Sequence, residues 1–280
     1  MMRPDIRIML ESPVIIEKID GLAGLELIGS VHSLRRPARE IVKELARFSP
    51  DYVCVELHTP LQPTKSFEIE MARERYLDKF VCIDRFIDVT ASRYMAGTSP
   101  MVYLKEALVK YLLLPFNVLS ILAYSALPAL YEALTGGRFF TFGWSTQDAR
   151  RYIYERDEYM AGTLASLLRS GELDGKCAVL VGRRHLPGMK CILEAFRYTN
   201  DIGSYYAGGR IYDVFNLAEL EEPYTLDYEK SSGNYMKNRL IESMVRSLFL
   251  PAYVLLLFAA MAALVLAATA GFLMLVKGKF

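Results

Sequence analysis

The chain has 280 residues, 52% of them hydrophobic, and a formal net charge of +1 at neutral pH. That is enough to bury a full core, with room for one soluble domain plus a membrane element. Basic residues are interspersed with acidic ones, so no phosphate-tracking groove is indicated and nucleic acid is excluded as a partner.

Residues 6–10 and 14–19 read as strands, followed by a turn at Asp20-Gly21 and a third strand over 25–28 that runs into His32. A hairpin thus feeds the first histidine. Ile41, Leu45 and Phe48 recur at helical spacing among charges, which predicts a surface helix over 37–48 ended by Pro50-Asp51. Residues 52–57 resume as strand and complete a β-α-β unit, whose connection makes the flanking strands parallel and brings their carboxyl ends to one sheet edge. A helix over 68–77 leads to a short strand over 80–83 that ends in Asp84-Arg85, and two further helical stretches follow.

Residues 111–131 are uncharged but interrupted by Pro115 and Pro128. Asn117, Ser120, Tyr124 and Pro128 recur at near-helical spacing and leave a broad apolar remainder. The segment reads either as a membrane-facing helix or re-entrant lid, or as a helix packed within the protein. A full crossing would place His32 and His185 on opposite sides of a bilayer, which weighs against it.

After Gly136-Gly137, a strong helix spans 146–168, a strand 176–181 and a helix 187–198; residues 201–216, rich in Gly and Tyr, read as loop or short strands. From 247 to 276 no residue is charged, a run longer than the ~20 residues needed to cross a bilayer and too short for two passes. It is expected to be a single C-terminal transmembrane helix, entered through a juxtamembrane helix. Lys230, Lys237, Arg239 and Arg246 before it, against Lys277 and Lys279 after it, favour a cytoplasmic domain. Cys54, Cys82 and Cys177 fall in strand-like runs, Cys191 on a helix, and none forms a Cys-x-x-Cys pair. They are expected to be buried core thiols in a reducing compartment. The N-terminus lacks the apolar stretch of a signal peptide.

Two apolar runs stop at the same pattern, Gly29-Ser30-Val31-His32 and Gly182-Arg183-Arg184-His185, and hold two of the three histidines. Glycine permits a sharp departure from the strand, and an imidazole three residues on can return over the sheet edge as ligand or acid-base group. Glu56 ends another strand at the usual location of an α/β site. Alternation puts His58 on the same side if the strand continues, as an extra ligand or an edge residue. Arg156 and Asp157 fall in the same arc as Ile153, Met160, Leu164 and Leu167, so Arg156 must meet an anion: a substrate oxygen, or a carboxylate such as Asp157 or Asp84. Asp84-Arg85 reads as a bridge between helix and sheet. His32, His185 and Glu56 make a ligand set for a catalytic divalent metal with an open water position, and Arg156 a stabiliser of the oxyanion; without metal, one histidine serves as general base.

These segments resemble the TraB, or pheromone-shutdown, family and its TIKI relatives: Gly29-Ser30-Val31-His32-Ser33, Val55-Glu56-Leu57, Ile83-Asp84-Arg85 with Thr90, the run from Glu155 to Met160, and Val181 to Gly188, in the family's order across residues 24–200. The resemblance implies a mixed α/β domain in which His32, Glu56, Arg156 and His185 line one cleft, with Gly29 and Gly182 shaping its loops; the reading of the residues themselves adds Asp84, Arg85, Asp157 and His58 in support. It also implies peptidase activity dependent on manganese or cobalt, as described for TIKI relatives; zinc suits the same ligands, whereas the related erythromycin esterases act without an obvious metal.

The fold expected is α/β, TraB/TIKI-like, with a mixed, largely parallel central sheet flanked by helices, plus a C-terminal transmembrane helix. Residues 1–228 form the domain, with an apolar insertion at 111–134; 229–247 are juxtamembrane and 248–276 cross the membrane. The function expected is a membrane-anchored hydrolase, a metal-dependent peptidase acting on short peptides through metal-activated water. The alternative is a non-catalytic regulator that sequesters a peptide or ligand in the same cleft. Expected partners are a peptide or small-molecule substrate and the membrane, with homo-oligomerisation left open.

Overall fold

The computed structural model describes residues 5–11, 14–19, 22, 24–31, 35–64, 66–135, 139–145, 147–199 and 233–277. His32, the turn at Asp20-Gly21, Ser33, Gly136-Gly137, residues 201–216 and the start of the juxtamembrane segment lie outside them. The first expected strand is β1 (Asp5–Glu11), and the hairpin is β2 (Val14–Lys18) and β3 (Leu25–Ser30), paired antiparallel. Helix α1 (Arg35–Phe48) follows, closed by Ser49 at φ 52°, whose N–H bonds Leu45 O at 2.9 Å. Then come β4 (Tyr52–Val55), α2 (Phe67–Tyr76), a short 3-10 turn and β5 (Phe80–Cys82).

After α3 (Ile87–Gly97), the segment left ambiguous by sequence is mostly one helix: α4 (Pro100–Ala126) runs straight through Pro115, and α5 (Pro128–Thr135) follows it. The remaining elements are β6 (Phe139–Ser145), α6 (Gln147–Ser170), β7 (Cys177–Gly182), α7 (Leu186–Thr199) and α8 (Gly233–Lys277).

Five strands form one sheet in the order β2-β3-β7-β4-β5, parallel throughout except for β2. The mixed, mostly parallel α/β sheet is therefore as expected. β7 sits between β3 and β4, with Ser30 opposite Gly182 and Val55 opposite Leu180, so the ends of these three strands meet at one edge. Alternation divides the core cleanly. Leu25, Leu27, Cys54, Val179 and Val181 face α6 and α7 on one side. Ile28, Val53, Val55, Ala178 and Leu180 face α1 and α2 on the other. Covering both faces explains why the central strands read as near-continuous apolar runs. β1 does not join this sheet; it pairs antiparallel with β6 in a separate ribbon, Glu11 opposite Phe139.

All four cysteines are free, and Cys54 and Cys177 are fully buried. Burial raises the Cys54 thiol and lifts Cys82 and Cys177 to about 11, which keeps them protonated and inert at neutral pH.

Gly29 serves close packing. The described glycines with positive φ are Gly24 and Gly171, so neither Gly29 nor Gly182 supplies the sharp reversal expected of them. A Cβ on Gly29 would overlap Leu186 Cδ1 and come to 3.0 Å from the Arg183 Cα. Gly29→Ala is accordingly expected to cost about 1–3 kcal/mol, measured as a lower midpoint of chemical denaturation of the full chain.

Candidate active site

The groups that meet at Arg156 and His185 are delivered by strand ends and by the helix that packs across them. β4 stops at Val55, and the next residue, Glu56, continues the alternation toward α6. One Glu56 oxygen accepts the Gly182 N–H at 2.6 Å and the other accepts Arg156 Nη2 at 2.6 Å. The same Nη2 bonds Asp84, just past β5, so one guanidinium on α6 ties two strand ends together.

Gly182 to His185 form a single turn, the His185 N–H bonding Gly182 O at 2.8 Å; the His185 carbonyl then accepts the first bond of α7, from Met189 N at 2.9 Å. His185 is 6% exposed. Its Nδ1 lies 2.5 Å from Asp157 Oδ1, and its Nε2 lies 3.3 Å from Arg156 Nη1 and 3.5 Å from Glu56 Oε1. Because a guanidinium only donates, Nε2 is the accepting nitrogen and Nδ1–H points at the carboxylate.

Asp157 is 1% exposed, and burial is what lifts its carboxyl to about 6, against the opposing pull of His185 and Arg156. Its second oxygen, Oδ2, has no hydrogen-bond partner among the described residues. It faces Gly188, where a Cβ would overlap Oδ2 and come to 2.7 Å from Cγ. Only a glycine lets α7 approach so near.

A second ion cluster lies beside the first. Glu155 accepts from both Arg85 and Arg93, Arg85 Nε bonds Thr90 Oγ1 at 2.7 Å, and the Arg85 guanidinium stacks 5.6 Å from the Tyr159 ring. The Arg85 N–H bonds Asp84 Oδ1 at 2.9 Å, which joins the two clusters. The sequence reading placed Arg85 in a helix-to-sheet bridge but missed Glu155 and Arg93. Residues 155–162 are buried around the whole circumference of α6, so the arc that singled out Arg156 and Asp157 was too narrow. Removing the shared carboxylate with Glu155→Ala strands two buried cations and is expected to cost about 3–5 kcal/mol, as a loss of thermal stability.

His58 stands outside this arrangement, which is the edge reading and not the ligand one. The Leu57 N–H turns back to Val55 O at 2.8 Å, which breaks the alternation that would have aligned His58 with Glu56. His58 is exposed and its ring rests edge-on to Phe86 at 5.7 Å.

The described donors do not fit a divalent ion as they stand. Both Glu56 oxygens are engaged, and the Arg156 guanidinium is bonded to Glu56 and Asp84 and reaches His185 Nε2, in the position a cation would need. No group of three His, Cys, Asp or Glu side chains poised to hold a metal occurs among the described residues.

Arg156 and His185 open onto a cavity of about 450 Å3. Tyr94, Met95, Ala107 and Ile153 give it apolar walls, while Arg184, at the mouth of the histidine turn, adds an exposed positive charge. Its far side is built by α4 and α8. There Glu242 accepts from Tyr103 at 3.0 Å, Tyr111 at 2.8 Å and Lys110 at 3.0 Å. Nothing in the local pattern signals that α8 reaches the site, since Glu242 reads as an ordinary juxtamembrane charge.

No family model matches the chain, and no curated protein or solved structure matches it either.

The Asp157 carboxyl gives a signed pH dependence. Its folded pKa of about 6 lies above the ordinary aspartate value of 3.8, so the folded state holds the extra proton. The associated stability is present below about pH 4 and lost as pH rises through about 6, by about 3 kcal/mol at most. Asp157→Asn is expected to flatten this slope in denaturation midpoints measured from pH 4 to 7.

Proposed function

We propose that the protein is a hydrolase of peptide or other acyl bonds in short substrates, with His185 as general base, held at the membrane by α8. The single observation that carries the reading is the pairing of His185 Nδ1 with Asp157 at 2.5 Å in a residue that lines the cavity beside Arg156. A carboxylate that fixes the tautomer and orientation of an imidazole is the arrangement that makes histidine an effective proton acceptor. The ordered segments that resemble the TraB family support the same cleft. The charge-free run from 247 to 276, within the helix Gly233–Lys277, supports the anchor.

The chemistry runs on the chain's own groups. As Arg156 Nη1 turns from Nε2 to the substrate carbonyl oxygen, Nε2 takes a proton from water while the water oxygen bonds the carbonyl carbon, and the imidazolium so formed is balanced by Asp157 and by Glu56 at 3.5 Å. The carbonyl oxygen, now negative, is met by the Arg156 guanidinium, which Glu56 and Asp84 hold in place. When the tetrahedral adduct collapses, the bond to the leaving amine or alkoxide breaks and the leaving atom recovers the proton from Nε2. Metal-activated water, the other route the sequence allows, is not supported by Glu56, both of whose oxygens are engaged.

The test is turnover of a library of short peptides and acyl esters by the full chain in detergent. His185→Ala is expected to lower kcat/KM by about 10²–10⁴-fold, with Gly188→Ala causing a comparable loss by displacing Asp157. Activity is expected to survive EDTA and to fall below about pH 6, as the Asp157 carboxyl takes up its proton. Loss of turnover on chelation with recovery on adding manganese would overturn the metal-free mechanism, and full activity in His185→Ala would overturn the assignment of the base.

A further inference from the structure

We infer that Glu106 on α4 reads a free amino terminus, so that the substrates are short peptides that enter the cavity amino end first and lose one or two residues from that end. This deepens the hydrolase reading above and rests on it.

The cavity beside His185 carries opposite charges on its two sides. Arg156 and Arg184 stand on the histidine side. On the other side α4 contributes Tyr103, Glu106, Ala107 and Lys110, which at about 100° per residue fall within one arc of the helix, and α8 contributes Glu242. The charged groups of this second wall have different duties. Against the burial that would raise it, the bonds from Lys110 and Tyr111 hold the Glu242 carboxyl below its ordinary value. The Lys110 ammonium bonds Glu242 at 3.0 Å and lies 5.1 Å from the Tyr111 ring centre. These two charges brace α4 against α8. Glu106 is 4% exposed, so the pull of its carboxylate on a cation inside the cavity is screened far less than at the surface.

The surroundings of Glu106 suit an ammonium group. Tyr94 and Tyr103 line the same cavity with ring centres 5.7 Å apart, and the negative faces of such rings attract a cation. Ala91, Met95 and Ile153 add apolar surface for the first side chain. A carboxyl terminus is repelled by Glu106 and matched by Arg184 at the exposed mouth, so the charge pattern sets the direction in which a peptide enters. The volume of about 450 Å3 suits one or two residues and not a longer segment. Water adding across the C–N bond held at His185 then releases the inner fragment as a carboxylate and the outer remainder as an amine.

The experiment compares leucyl-glycyl-glycine with its desamino analogue, in which hydrogen replaces the ammonium group. Both are titrated by calorimetry into the full chain in detergent, unaltered and as His185→Ala, and turnover of both is followed on the unaltered chain. The free-amine peptide is expected to bind about 10–100-fold more tightly, with a correspondingly lower KM. Glu106→Gln is expected to abolish that preference while leaving affinity for the desamino analogue unchanged, which also reports that the cavity is intact. Equal binding of the two ligands, no saturable binding of either, or a preference that survives Glu106→Gln would overturn the inference. Equal turnover of both overturns it while the hydrolase reading stands; a Glu106-dependent preference without turnover removes the hydrolase reading and leaves an amino-terminus binding site.

Discussion

The Arg156 guanidinium is the point on which the cleft depends. It bonds Glu56 beyond β4 and Asp84 beyond β5, and reaches His185 beyond β7, so a single side chain on α6 spans the ends of three strands. Sinking an arginine to 9% exposure is costly, and two carboxylates that are themselves nearly buried offset that cost only while all three stay in register. The geometry of the strand ends and the charge balance of the cleft are thus one constraint. Glu155, serving Arg85 and Arg93 one position away on the same helix, repeats the device and ties α3 to the arrangement.

That constraint also sets the character of His185. It sits between an anion at Nδ1 and a cation at Nε2, with its turn fixed by backbone bonds to Gly182 and α7. The ring has little freedom. Asp157 is left with one buried oxygen unbonded among the described residues, a cost that a functional site can hold when the surrounding structure enforces it.

Much of the sheet was legible because its signals are local. The β-branched and apolar runs at 25–28, 52–55 and 177–181, the breaks after them and the helical spacing of Ile41 and Leu45 need only neighbouring residues to be read. Glu56, Asp84, Arg156, Asp157 and His185 were legible for a related reason: each is a polar residue where an apolar pattern ends or is violated, and the structure brings them together. His58 parts from Glu56 because the strand stops two residues before Leu57. Glu155, Arg93 and Glu242 escaped because they acquire their meaning from partners 62, 62 and 139 positions away, which no periodicity encodes. The β1–β6 ribbon escaped likewise, since the consecutive Phe139 and Phe140 mask alternation and its two strands lie far apart in the chain.

The position of β7 has a consequence for how the protein is made. It separates β3 from β4 and is hydrogen-bonded to both, yet it lies about 150 residues after β3. A nascent chain that ends anywhere before residue 177 therefore carries strands with no central partner, and the sheet can close only late in synthesis. Residues 183–246 lie between β7 and the uncharged stretch beginning at 247, so the sheet receives its central strand before that stretch is made.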